Sequence, residues 1–145
     1  MILRSALAGL GLALVAGCGS DKPEGDATTT QGQRPGCPPH VAAATLPVDF
    51  PKSFPLPPRT VITSTGHPAT GSLFVRALVT GGLSETAGFF KARLPQAGFE
   101  LGEGDAESGE AESEFSGRGV SGKWKVNAIA GCLREVALLV AIERR

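Results

Sequence analysis

The sequence predicts an α+β domain, an antiparallel sheet of about five or six strands with one helix packed across it. Three observations carry that expectation. Runs of β-branched and apolar residues, punctuated by turn residues, occur on both sides of residue 83. Leu83, Ala87, Phe90, Leu94 and Ala97 fall in one narrow stripe at helical spacing. Setting aside an oily N-terminal run and a polar linker leaves about 110 residues from Cys37 onward, the size of a single domain.

The elements follow in order. Eight of the eleven prolines lie between residues 35 and 58. Proline fixes φ and removes an N–H, so this stretch is expected to be extended and to lie across the domain, with Phe50, Phe54 and Leu56 inserted as pegs. Residues 60–64 (TVITS) and 72–79 (SLFVRALV) read as a hairpin around the turn residues 66–71 (GHPATG), and Gly81 and Gly82 break the second strand. The helix then starts near Leu83. Ser84 is expected to cap it, with Glu85 at its positive end and Lys91 and Arg93 at the other. Pro95 should kink or loosen the last turn, and Gly98 should end it. Three strands are expected after Phe99: a weak one ending near Val120, then residues 123–130 and 135–142. The second of these alternates, with Trp124, Val126, Ala128 and Ala130 opposed to Lys123, Lys125 and Asn127. The third is apolar on both faces, as a central strand is.

The N-terminal run explains where such a domain would work. Arg4 is the only charge before Asp21, and residues 5–16 are an uncharged series of small and apolar side chains. That run is too short to span a bilayer, which takes about 20 apolar residues, and has the length of a secretory h-region. It leads into Val15-Ala16-Gly17-Cys18, which resembles the lipobox of bacterial lipoproteins. The resemblance implies cleavage after Gly17, so that residues 1–17 are a signal peptide. It also implies a thioether-linked diacylglycerol on Cys18 and usually an acyl chain, such as palmitate, on the new amine. The lipid bilayer would then be the first partner, and the location the outer, extracytoplasmic face of the cell membrane, since two or more acyl chains anchor stably where one does not.

With Cys18 lipidated, Cys37 and Cys132 remain as a pair in an oxidising compartment, and a disulfide between them is expected. Residues 18–36 contain no large apolar side chain beyond the lipidated cysteine and read as a flexible tether; residues 37–145 are the domain. Loss of residues 1–17 removes Arg4, leaving 13 Lys plus Arg against 14 Asp plus Glu, a net charge of −1. Nothing in that balance attracts a phosphate backbone, so no nucleic acid partner is expected.

From Asp49 onward the chain resembles small secreted lipoproteins common in high-GC Gram-positive bacteria, through FPLPP, FFKARLPQAGFEL, GDAESGEAESEF and GKWKVNAIAGC. The resemblance covers most of the mature chain and brings no catalytic or binding residues with it.

The candidate chemistry is sparse. Residues 100–114 hold seven of the fourteen acids and no base. Glu103, Asp105, Glu107 and Glu114 fall on positions 1, 3, 5 and 12 of a calcium loop, but Ser108 occupies the position that demands Gly, so a solvated, self-repelling hairpin is the plainer expectation. His40 and His67 both sit in Pro-rich turns without metal-ligand spacing, and no cofactor or metal is expected. PLPPR, residues 55–59, has the form of a polyproline ligand, for which an exported protein would rarely meet a receptor. No GxSxG elbow occurs, and Ser116 and Gly117 fall within a strand. Phe89 projects away from the helix stripe, so it is either covered by the Phe50/Phe54 segment or offers an apolar contact to an envelope protein or apolar ligand. The sequence therefore points to a non-enzymatic, membrane-anchored binding domain, with an envelope hydrolase or a calcium-responsive structural domain as alternatives.

Overall fold

The computed structural model describes residues 37–39 and 42–145. The signal segment, Cys18, the tether through residue 36, and His40 lie outside the described residues. Six strands form one antiparallel sheet in the order β1-β2-β6-β5-β4-β3: β1 (Thr60–Gly66), β2 (Ser72–Thr80), β3 (Glu100–Glu107), β4 (Glu110–Gly117), β5 (Val120–Ile129) and β6 (Cys132–Arg144). A single helix, α1 (Leu83–Gln96), lies between β2 and β3 in the chain and packs against β3, β4 and β5. This is the α+β architecture that the sequence predicts. Among the described residues no helix is long and apolar enough to cross a membrane.

Strands β3 to β6 form a meander joined by two-residue turns. Between β4 and β5 both turn residues have positive φ, Arg118 at 51° and Gly119 at 78°, which is the twist a two-residue hairpin needs. Strand β6 is central, paired along its length with β2 and β5.

The acidic segment is a solvated hairpin, as expected, formed by β3 and the start of β4 and turning at Ser108 and Gly109; its first arm makes four strands after Phe99 where the sequence predicts three. The weak strand expected to end near Val120 is β4, which stops at Gly117, and Val120 opens β5. Every residue of β3 is exposed, so no buried side chain marks it as a strand in the sequence. The backbone ladder to β4 and two glycines hold it in place. A Cβ on Gly104 would lie 2.7 Å from the Glu112 carbonyl and one on Gly102 would lie 3.0 Å from Glu114 Cβ.

Helix α1 starts at Leu83 with Gly82 as its N-cap, so Ser84 lies inside the first turn and does not cap it. Its end matches the glycine stop. Gly98 is left-handed at φ 85°, its N–H bonds to the Pro95 carbonyl, and the Phe99 N–H bonds to the Leu94 carbonyl. That pair of bonds is the Schellman closure, and Leu94 and Phe99, both buried, make the apolar contact that accompanies it. Pro95 stands next to last in the helix, where the closure absorbs its effect. The Arg118 guanidinium donates to the Ala97 carbonyl, placing a cation at the negative end of the helix.

The Pro-rich segment behaves as a strap. The Phe50 N–H bonds to the Pro47 carbonyl and the Phe54 N–H to the Pro51 carbonyl, two turns in tandem that each end by throwing a phenyl ring inward. Phe54 meets Phe50, Phe90, Phe99 and Phe115 at centroid distances of 5.6, 6.0, 5.7 and 5.0 Å. Trp124 is fully buried and stacks on Phe90 at 5.1 Å, while its Nε1 has no hydrogen-bond partner among the described residues. The helix and the strap's inserted rings thus lie on the same face of the sheet as Ile62, Val75, Phe115, Trp124, Leu138 and Val140.

Two covalent or polar pins hold the strap. Cys37 is bonded to Cys132, the first residue of β6, with Cα atoms 4.6 Å apart, as the sequence predicts. At the other end of the sheet the Arg144 guanidinium donates to the Asp49 carbonyl at 2.8 Å, and His67 Nε2 lies 3.0 Å from the Asp49 carboxylate. The hydrogen bond from His67 is the main reason the Asp49 carboxyl is held below its ordinary pKa, outweighing desolvation, with the charges of His67 and Arg144 adding to it.

Candidate functional site

Strand alternation puts every second side chain on the face opposite the helix and strap. Cross-strand register then fixes the rows of that open face. One row runs Val61, Leu78, Ala137, Asn127, Glu110 and Glu107. The next runs Ser64, Arg76, Leu139, Lys125, Glu112 and Asp105. A third contains Phe74, Ala141, Lys123 and Glu114. A fourth contains Ser72, Glu143, Ser121, Ser116 and Glu100. The face is therefore mixed over β1, β2 and β6, where apolar side chains alternate with Ser64, Arg76, Ser72 and Glu143, basic along β5 and acidic along β4 and β3.

Each lysine makes its shortest ion pair with a glutamate other than the one directly opposite it. Lys123 faces Glu114 but its Nζ reaches diagonally to Glu112 at 3.0 Å. Lys125 faces Glu112 and bonds Glu110 at 2.8 Å, with Glu112 at 3.6 Å. The hydrogen bond from Lys123 holds the Glu112 carboxyl below its ordinary pKa, and the bond to Glu110 raises that of Lys125. Both cations lean toward the β3–β4 turn, so Glu114 is left with no ion pair among the described residues.

Beside Glu114 lies an open groove of about 490 Å³ over the β3–β6 end of this face. Its volume falls in the range of small-molecule sites, about 300–1,000 Å³. Ser116, Ser121 and Ala141 give it a short floor, and Glu100, Glu114, Glu143, Lys123 and Arg145 stand around it. Gly122 keeps the sheet tight below. A Cβ there would come within 2.0 Å of the Ala141 carbonyl oxygen and 2.8 Å of the Phe115 ring.

The other expected site residues are dispersed. Phe89 is half-buried, edge-on to Phe90 at 5.7 Å, and lines a recess of about 80 Å³ with Pro57, Pro58, Arg59 and Val79. The strap does flank it, but through those prolines; Phe50 and Phe54 go to the centre of the core. His67 is engaged with Asp49 on an exposed turn and lines none of the grooves described here. The acids proposed for a calcium loop stand on strands, and among the described residues the close group of three potential ligands is Cys37, Cys132 and Glu135, whose sulfurs are joined in the disulfide. A second, mostly apolar groove of about 260 Å³ lies on the strap, lined by Leu46, Val48, Phe50, Lys52 and Leu56 among others. Sequence reasoning missed the open-face groove. Its signal was Ser116 and Ser121, small polar residues that become neighbours only once the β4–β5 register is known.

Comparison with protein-family models, curated proteins and solved structures finds no match in any of the three.

Proposed function

We propose that this protein is an extracytoplasmic lipoprotein, anchored through a diacylglyceryl group on Cys18 to the outer face of the cell membrane, whose domain is a non-enzymatic binding module. The observation that carries the reading is the Cys37–Cys132 disulfide. Such bonds persist in oxidising compartments, which agrees with export, and this one uses two of the three cysteines. Cys18 is left as the thiol that the lipobox-like residues 15–18 would present for lipidation. Residues 1–17 would be removed as signal peptide and residues 18–36 would serve as tether.

The shape of the sheet supports binding rather than turnover. The helix and the strap's rings occupy one face, and the other presents an open groove with charged and hydroxyl groups. A tether of about 19 residues has a root-mean-square reach of roughly 24 Å, so the groove would search a thin layer above the bilayer at high local concentration.

The test is the mass and location of the protein from its native cell. A mature chain starting at Cys18 and carrying a diacylglyceryl group, found with the membrane and released by Cys18→Ser, is the expected result. A chain with Met1 retained and an unmodified Cys18 overturns the proposal.

A further inference from the structure

We infer that the domain stands on the bilayer by its β5–β6 turn, with Leu133 entering the boundary between headgroups and acyl chains and Arg134 donating to lipid phosphate oxygens. This orientation rests on the lipid anchor proposed above. The disulfide fixes where the tether meets the domain. Cys37 follows the tether directly, and its bond to Cys132 places that point at the first residue of β6, one residue before Leu133. Leu133 is 95% exposed, and Arg134 is exposed beside it. The register explains why they project. Ile129 faces Cys132 but Ala128 faces Val136, so Leu133, Arg134 and Glu135 have no partner on β5.

A second cation stands near. The Arg59 carbonyl accepts from the Thr80 N–H and the Arg134 carbonyl from the Gly81 N–H, so two successive residues hold both arginines at this end of the sheet. Both are exposed, and neither has an ion pair among the described residues. Glu135 follows Arg134, and the Glu85 carboxylate lies close to Gly81, so the two arginines bring no net charge. Burial of Leu133 and hydrogen bonds to phosphate therefore carry the contact, as in an interfacial anchor with an apolar body and a polar tip.

Tether length selects this end over the other. Strand β6 has 13 residues, which puts Arg144 and the Asp49 carbonyl that it holds roughly 40 Å from Cys132. The root-mean-square reach of the tether, roughly 24 Å, is shorter than that. A side chain kept so close to the surface meets it at high effective concentration, so one leucine suffices where it would not bind from solution. The open-face groove, lined by Ser121, Glu143 and Arg145 toward the far end of β6, then opens away from lipid.

The experiment takes the lipidated full chain from its native membrane into phosphatidylcholine vesicles, plain or with acyl chains brominated near the headgroup, a short-range quencher of tryptophan. Leu133→Trp is compared with Val48→Trp, an equally exposed position next to Asp49 at the opposite end, over the constant signal of the buried Trp124. The added emission of Leu133→Trp should fall about two-fold in the brominated vesicles, that of Val48→Trp should not change, and about 0.5 M salt should leave the quenching in place. Quenching of Val48→Trp equal to or above that of Leu133→Trp overturns the orientation, and quenching that salt removes overturns insertion of the apolar side chain. Flotation of the same vesicles separates the two readings. A chain that floats with Leu133→Trp unquenched keeps the anchor and overturns the contact, whereas a chain that does not float overturns both.

Discussion

Replacing Cys37 and Cys132 together with alanine should be among the costliest changes to the strap. The bond joins residues 95 apart in sequence, so nearly the whole domain lies within the loop it closes. The chain-entropy relation for a loop of that length gives about 4.7 kcal/mol at 25 °C, an upper figure because denatured chains keep some structure. An unfolding entropy of about 2.1 cal/mol/K per residue over about 110 residues converts this to a fall in Tm of up to roughly 20 °C. Because the effect acts on the unfolded chain, the m-value in urea should rise as the reduced chain expands and exposes more surface. Urea unfolding of wild type and double variant, followed by tryptophan fluorescence of the buried Trp124, measures both quantities. A loss below about 1 kcal/mol with an unchanged m-value would refute the account. The bond would then be a local clip on the strap, with no hold on the unfolded chain.

Three further changes probe the strap and the sheet. Phe54→Ala removes a ring that touches four other phenylalanines and should cost about 3–5 kcal/mol in denaturant unfolding; a loss near zero would mean the strap merely lies on the surface. Gly122→Ala forces a methyl against the Ala141 carbonyl and the Phe115 ring, and should destabilise by at least the 1–3 kcal/mol typical of overpacking, read by thermal melting. Asp49 sets an acid limit. Its folded pKa is depressed, so its contribution is present above the ordinary carboxylate pKa and is lost as pH falls through the lower folded value. Melting curves from pH 6 to pH 2 should therefore show a steeper loss in wild type than in Asp49→Asn. Parallel curves would remove Asp49 from the acid response.

Sequence reading found most of this fold because its signals were local. The stripe from Leu83 to Leu94, the Gly98 stop and the alternation in β5 each depend on residues within a few positions of one another. The misses were of two kinds. Strand β3 has no buried residue, and its identity comes from pairing with β4, which hydrophobic periodicity does not register. Ser84 has the right chemistry for a cap, but Gly82 already adopts the extended conformation of the N-cap with φ −84° and ψ 165°. One local signal went unread. Pro47-Val48-Asp49-Phe50 and Pro51-Lys52-Ser53-Phe54 repeat with a period of four, and that repeat is the pair of turns that delivers the two rings. The groove was illegible for a different reason, since its acids come from β3, β4 and β6 and meet only through register.

Strand β6 shows how one face of the sheet can stay open. Its sequence is apolar on both sides, a pattern normally associated with burial between two layers. Here the outer side carries Ala137, Leu139 and Ala141, and none of the three is exposed in the way Leu133 is at the strand's start. Register supplies the cover. Leu139 stands between Arg76 and Lys125, and Ala141 between Phe74 and Lys123. Long cationic side chains lay their methylene stems over small apolar neighbours and keep their charges in water. The same two lysines then reach on toward Glu110 and Glu112, so one set of side chains both shields the central strand and withdraws positive charge from Glu114. Shortening Lys123 to alanine should therefore expose Ala141 and leave Glu112 without its nearer cation. The negative excess of the groove is thus a consequence of how the open face shields itself.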